Sequence, residues 1–380
     1  MVAALLLAIV SPLPAAAHQN GCHRWHSCPS DSGSYECGDT GYDTYCGDDP
    51  DPEPEPTVEP EPEPTATATP TPTPMPTPTP TPTYAARQAG SNRMATAAQV
   101  SRAAYPAGAD TAFVATAGNF PDALAGGAAA GVLGAPVLLV SPDRVPQESR
   151  DELVRLGVDT IVLLGGEASI GRAVADELGS IAPTVRYAGR DRYDTAAAVS
   201  RARFSPGVAT VYVASGVEYR EALAAAAVAG ARGVPLLLSA PDALPQATVD
   251  ELRRLSPASV VLVGRYESVG EAVEDALAAI APTTRIMGNA PYGTAVMLSR
   301  ATYQTASVVY IATAADFPDA LAGGAAAGAR QAPLLFVGRD TVPEEVAREL
   351  DRLRPDEIVV LGGTGAVSDA VLWELDAYNG

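Results

Sequence analysis

The chain has no lysine. Its 25 basic residues are all arginine, set against 45 acids, for a formal charge of −20. Such a deficit of cations argues against nucleic acid as a partner, because phosphate backbones are held by clustered positive charge. From residue 85 to the end there is neither histidine nor cysteine. That excludes Ser-His and Cys-His nucleophilic pairs from this region, and a histidine-ligated zinc hydrolase with them. No Gly-x-Gly-x-x-Gly or Walker-type phosphate loop occurs, so no nucleotide or other cofactor is expected. No uninterrupted apolar run reaches the roughly 18 residues that a membrane span needs.

What is present is unevenly distributed. Residues 48–64 hold eight acids and no base, and residues 18–47 hold four acids against Arg24. Residues 1–17 read as a secretory signal: an apolar run Val2–Val10, then Ala15-Ala16-Ala17, which suits cleavage before His18. A short buried strand or helix is the rival reading. Residues 18–47 hold all four cysteines (Cys22, Cys28, Cys37, Cys46) and all three histidines. In an exported chain an even cysteine count in a short segment points to disulfides, and four cysteines allow three pairings. A metal site using Cys22, His23, His26 and Cys28 is the alternative, although their spacing matches no common zinc finger. Residues 48–84 run from Pro-Glu into repeated Thr-Pro, a composition that cannot build a core and favours extended polyproline conformation. At roughly 3.1 Å per residue this linker could hold its neighbours on the order of 100 Å apart.

Beyond the linker the sequence is written three times. Arg87, Arg186 and Arg285 are each 99 residues apart, as are Thr96, Thr195 and Thr294. Pro136, Pro235 and Pro333 keep step at 99 and 98, and so do Gly165, Gly264 and Gly362. A period this long cannot arise from local propensity, so each repeat (85–183, 184–282 and 283–380) is a duplicated folded piece. Each alternates short apolar runs with helical patterns. In the first, strands are expected at Thr111–Ala117, Ala135–Val140, Thr160–Leu164 and Val185–Ala188. Helices are expected at Pro121–Gly131, Gln147–Leu156, Arg172–Ile181 and Tyr193–Phe204. Continuous apolar strands suit sheets covered on both faces, so the expected fold is α/β: three tandem Rossmann-like units with parallel sheets.

In such a sheet a ligand sits outside the carboxyl ends of the strands. Four segments fall there: Ala117–Asp122, Ser141–Asp143, Gly165-Gly166 and Gly189–Thr195. They bring guanidinium, carboxylate and glycine backbone together, a mixture that suits sugar hydroxyls and acidic groups. The candidate polysaccharide-binding residues are Arg87, Arg93, Asn119, Asp122, Gly165, Gly166, Arg190, Arg192, Thr195, Asp316 and Asp319. Plainer roles compete for each. Asn119 and Asp122 have capping-box spacing, as do Glu218 with Glu221 and Asp316 with Asp319. Gly165-Gly166 can serve simply as a tight turn. The three threonines can cap or pack a helix, and Arg190 and Arg192 can pair with acids of a neighbouring unit.

These motifs resemble the type 2 cell wall-binding repeat, found in tandem threes on surface proteins of Gram-positive bacteria. The likeness is carried by Arg186-Tyr187-Ala188-Gly189-Arg190-Asp191-Arg192-Tyr193-Asp194-Thr195-Ala196 and by Gly118-Asn119-Phe120-Pro121-Asp122-Ala123-Leu124-Ala125. Leu361-Gly362-Gly363 followed by Ala366-Val367-Ser368 completes it. The resemblance covers residues 85–380 and implies three units around a pseudo-threefold axis. It also implies non-covalent attachment to an anionic secondary cell-wall polysaccharide. Three departures stand out: Glu218-Tyr219-Arg220-Glu221 replaces the Phe-Pro-Asp segment, Gly264-Arg265 replaces a glycine pair, and Asn289-Ala290-Pro291-Tyr292 replaces the arginine-rich loop.

A tripled scaffold suits multivalent grip better than turnover, because linked weak sites raise avidity without new contacts. The expectation is therefore a secreted, non-enzymatic wall-binding protein that displays its amino-terminal module. The alternative is a wall-glycan hydrolase pairing Asp122 with Asp191 or Asp194.

Overall fold

A computed structural model describes residues 85–379 other than 119 and 120, together with a small antiparallel pair, β1 (Glu36–Cys37) and β2 (Thr44–Tyr45). The expected signal segment, the linker, and Cys22, Cys28 and Cys46 lie outside the described residues, as does Asn119.

The first repeat contributes β3 (Ala86–Gln88), α1 (Arg93–Ala104), β4 (Thr111–Thr116), α2 (Pro121–Leu133), β5 (Val137–Val140), α3 (Gln147–Leu156), β6 (Thr160–Leu164) and α4 (Arg172–Gly179). The second repeats the order with β7 (Thr184–Tyr187), α5 (Arg192–Arg203), β8 (Thr210–Ser215), α6 (Tyr219–Arg232), β9 (Leu236–Ser239), α7 (Gln246–Leu255), β10 (Ser259–Val263) and α8 (Glu271–Ala278). The third adds β11 (Thr283–Ile286), α9 (Pro291–Thr302), β12 (Val308–Thr313), α10 (Pro318–Ala329), β13 (Leu334–Val337), α11 (Glu344–Leu353), β14 (Glu357–Leu361) and α12 (Asp369–Asp376). These elements build three four-stranded parallel sheets with helices between the strands, an α/β fold. Both faces of the first three strands of each sheet are largely buried, whereas the fourth strands β7, β11 and β3 are partly exposed. Along β4, Phe113 and Ala115 face one apolar cluster while Ala112 and Val114 face another. That explains why the strands read as unbroken apolar runs.

Sheet and sequence repeat are out of phase by one strand. The orders are β5-β4-β6-β7, β9-β8-β10-β11 and β13-β12-β14-β3. Each fourth strand is thus the opening strand of the next repeat, and β3 closes the ring by pairing with β14. The amide of Gly362 donates to the carbonyl of Gln88 at 2.9 Å to extend this junction.

The three units meet through α2, α6 and α10, which pack against one another. Gly131, Gly230 and Gly328 converge there. A Cβ placed on Gly131 would lie 3.1 Å from the Cα of Gly230 and 3.3 Å from that of Gly328. Only glycine lets three helix backbones approach so closely without displacing one another. The small-residue composition of these helices, Ala-Gly-Gly-Ala-Ala-Ala-Gly in the first and third, follows from that packing.

Each unit also carries a buried glutamate. Glu152 on α3 accepts from Ser101 Oγ at 2.6 Å, Arg102 Nε at 3.1 Å and Arg155 Nη2 at 2.7 Å. Glu251 accepts from Ser200 and Arg254, and Glu349 from Ser299, Arg300 and Arg352. A fully buried carboxylate persists only with such partners. In Glu152 burial pushes the pKa up, but the bonds from Arg155, Ser101 and Arg102 outweigh it, and the carboxyl ends below its usual value.

Candidate functional site

Strand order 2-1-3-4 places the switch in direction between the first and third strands of each sheet, where α/β proteins open a crevice. In the first unit a cleft of about 320 Å³ lies there, lined by Pro121 and Asp122, by Gly166–Ser169, and by Gly189–Arg192. Three of the four expected segments line it. Ser141–Asp143 does not: it follows β5, on the other side of β4, where the Pro142 carbonyl accepts from the Gly171 amide at 2.9 Å.

The acid at the start of the first-turn helix anchors each site. Ser169 Oγ donates to Asp122 Oδ2 at 2.8 Å. In the second unit Glu221 accepts from Ser268 Oγ, from the Arg265 amide at 3.1 Å and from Thr294 Oγ1 at 3.2 Å. In the third, Ala366 stands where the serine was, and Asp319 is bonded by the hydroxyl of Thr96. Burial dominates at Asp319 and raises its pKa despite that bond and the nearby Arg93. Opposite these acids, Gly165, Gly264 and Gly362 have φ of 95°, 131° and 91°. A Cβ on Gly165 would sit 2.4 Å from Asp122 Oδ2, so both its conformation and its neighbour demand glycine. Its backbone is spent on structure: the amide donates to the Tyr187 carbonyl at 2.8 Å, and its carbonyl accepts from Arg186 Nη1 at 2.7 Å. Gly166, by contrast, lines the cleft with open space where a side chain would be.

The arginines divide into two sets. Arg87, Arg186 and Arg285, on the fourth strands, reach back to the loop of the preceding unit. Arg87 donates to the Gly362 carbonyl at 2.9 Å and pairs with Asp369 at 3.0 Å. Arg285 donates to the carbonyls of Gly264 at 2.8 Å and Val269 at 2.9 Å, and it lies 4.2 Å over the Tyr266 ring. These guanidiniums pin a loop. The second set opens the following helix. Arg93 Nη1 donates to the Ala117 carbonyl at 2.9 Å and Arg192 Nη1 to the Gly216 carbonyl at 2.5 Å. Arg93 also meets Asp316 of the third repeat at 3.5 Å. Arg190 differs from all of these: its side chain is 88% exposed and its one ion-pair partner among the described residues is Asp194, at 2.6 Å. That bond holds the Asp194 carboxyl below its usual pKa.

Capping accounts for part of the remainder. Asn92 and Asp191 accept from the amides opening α1 and α5, and Glu218 from the Arg220 amide. Asp316 accepts from the Phe317 amide at 2.9 Å, one residue ahead of α10, which has no side-chain cap. Thr96, Thr195 and Thr294 each accept from a loop glycine six residues earlier, at 3.1, 3.1 and 3.0 Å. Ser169 and Glu221 escaped the sequence reading as site members. Aligning the three repeats would have exposed the serine, since Ser169, Ser268 and Ala366 follow the glycine turn at one register, and Glu221 already stood in the register of Asp122 and Asp319.

The chain was compared with known families and proteins. The sequence pattern described as cell wall binding domain 2 matches residues 87–175, 186–274 and 285–372. The chain is similar to the N-acetylmuramoyl-L-alanine amidase LytC of Bacillus subtilis (strain 168), 27% identical over 290 residues, which is 76% of this chain and 57% of that protein. It is 28% identical over 257 residues to the amidase enhancer of the same organism, covering 68% of this chain and 35% of that one. The chain thus spans between a third and three fifths of these relatives. Among solved structures, Cwp6 and Cwp8 from Clostridium difficile superpose with TM-scores of 0.72 and 0.70 at 20% and 22% identity. Each covers 78% of this chain, which in turn spans 48% and 52% of them. The shared fold is the tripled α/β unit.

Proposed function

Since the chain belongs to the cell wall binding domain 2 family, we propose that it is held non-covalently on an anionic secondary cell-wall polysaccharide through its three repeats. Cell-wall binding follows from the family, and the nature of the polymer is our inference. The observation that carries it is the cleft at the first strand switch, where Arg190 and Arg192 stand beside Gly166 and Asp122. Arg190 is the free hand of the set, exposed and, among the described residues, held only by Asp194 of the helix that follows. An exposed guanidinium can leave an intramolecular carboxylate for a ligand's acidic group at little cost, because such a surface pair is weak. We infer export, with the amino-terminal cysteine module displayed beyond the linker.

Grip is favoured over hydrolysis because the candidate carboxylates are occupied. Asp122 is bonded by Ser169, Asp191 caps α5, and Asp194 holds Arg190. A glycosidase needs one acid free to protonate the leaving oxygen and another free to act on the opposite face. The two readings separate by incubating purified wall with the full chain and measuring both pelleting and released reducing sugar. Pelleting without release supports attachment, whereas release abolished by Asp122→Asn overturns it.

A further inference from the structure

Two of the departures from the repeat pattern are halves of one exchange. The strand-end carbonyls of Ala117, Gly216 and Ala314 occupy equivalent positions, and each is capped by a guanidinium. In the first two units it comes from Arg93 and Arg192, at the start of the helix of the same repeat. The equivalent residue in the third repeat is Pro291, which has no such group. There Arg220, from the second repeat, supplies it: Nε donates to the Ala314 carbonyl at 2.7 Å, beside Tyr219 Oη at 2.9 Å. The residues equivalent to Arg220 are Pro121 and Pro318. Arginine and proline have traded places between the two positions, and the guanidinium stays where it was.

The Arg220 guanidinium borders a second crevice. A cleft of about 370 Å³ is lined by Arg220, Tyr292, Thr313–Ala315, Gly338 and Arg339. It therefore lies over the first and second strands of its sheet, whereas the cleft at Arg190 lies over the first, third and fourth. Its charges are balanced: Arg220 Nη1 is paired with Glu218 at 2.8 Å, and Arg339 with Asp340 at 2.8 Å. Nη2 of Arg220 has no protein acceptor among the described residues. An N–H edge and a tyrosine together match a sugar ring, whose hydroxyls take the donors and whose C–H face takes the aromatic.

We propose that Arg220 and Tyr292 form a saccharide subsite between the second and third repeats that takes a neutral pyranose, with affinity that does not depend on salt. The proposal rests on the reading that the repeats hold a wall polysaccharide, and it assigns the uncharged part of that polymer to this cleft. The test follows the Arg220 Nε–H resonance of the full chain by ¹⁵N NMR. Methyl glucoside and N-acetylglucosamine serve as neutral probes, and glucuronate and glucose 1-phosphate as charged ones. The neutral sugars should shift the signal equally at low and high salt, and Tyr292→Ala should weaken the response at least tenfold. The Arg220→Pro variant removes the reporter, and the Arg220→Pro, Pro291→Arg double variant should restore a sugar-responsive guanidinium signal. No shift with neutral sugars, a shift with the charged probes alone, or an unchanged response in Tyr292→Ala would each overturn the subsite. Wall pelleting measured on the same samples separates the two ideas: a silent resonance with intact pelleting removes the subsite and leaves wall attachment standing.

Discussion

Arg87 Nη1 lies 2.9 Å from the carbonyl oxygen of Gly362, although 275 residues of chain separate them. The bond locks the first strand of the first repeat onto the last loop of the third, so the three units form a closed ring. Arg186 and Arg285 make the corresponding bonds at the other two junctions, to Gly165 at 2.7 Å and Gly264 at 2.8 Å.

Removing this clasp should loosen the third unit first. Arg87→Ala is expected to cost about 1–3 kcal/mol, the range for a charged hydrogen-bonding group lost from a largely buried site. Hydrogen exchange should accelerate at the amides of β14 and at Gly362 before it does so in β4 or β8. Uniform exchange across all three sheets would contradict the clasp.

The axis is equally exposed to test. Gly230→Val adds side-chain volume where a Cβ already lies 3.2 Å from the Gly131 Cα and 3.4 Å from that of Gly328. Overpacking of this kind should destabilise the fold by about 1–3 kcal/mol. Calorimetry should show a lowered midpoint, while the same change at exposed Gly365, which has open space around it, should leave the midpoint nearly unmoved.

Acid should unfold the ring through its buried glutamates. Glu152 and Glu349 have folded-state pKa values below the ordinary 4.5, because arginine and serine bonds outweigh the burial that pushes them up. A depressed carboxyl contributes stability that is fully present above its unfolded pKa and is lost as pH falls through the folded one. The thermal midpoint should therefore fall progressively as pH drops through about 4.5, where unfolded glutamates are half protonated. Glu152→Gln should flatten that decline. An acid limb of unchanged steepness in the variant would assign it to other groups.

Arg190 and Arg192 should behave differently despite their proximity. Arg190→Ala should weaken wall binding and reduce its salt sensitivity while leaving the melting curve unchanged, since the side chain is exposed and, among the described residues, bonds only Asp194. Arg192→Ala should lower stability too, because it strips the donor from the Gly216 carbonyl. Equal losses of stability in both variants would place Arg190 in the scaffold.

The fold was largely legible in the sequence because a 99-residue period and unbroken apolar strands carry topology directly. Ring closure was not. The period is the same whether Arg87 pairs within its own repeat or with the last one, and only the register of β3 on β14 decides it. The site was legible as a set of strand-end loops but not as a division of labour. Arg87, Arg93 and Arg190 look alike in a motif, yet one clamps a loop, one caps a carbonyl and one stands exposed. The Arg220 and Pro291 departures read as two separate losses because compensation between repeats is a spatial fact. It shows only when Ala314 is seen to accept from the second repeat.

The most direct measurement of the account is sedimentation of the full chain with intact walls and with walls stripped of their acidic secondary polymers, at low and at high salt. Binding to intact walls that weakens with salt, and that largely disappears on stripped walls, is the predicted result. Equal binding to both wall preparations would contradict it.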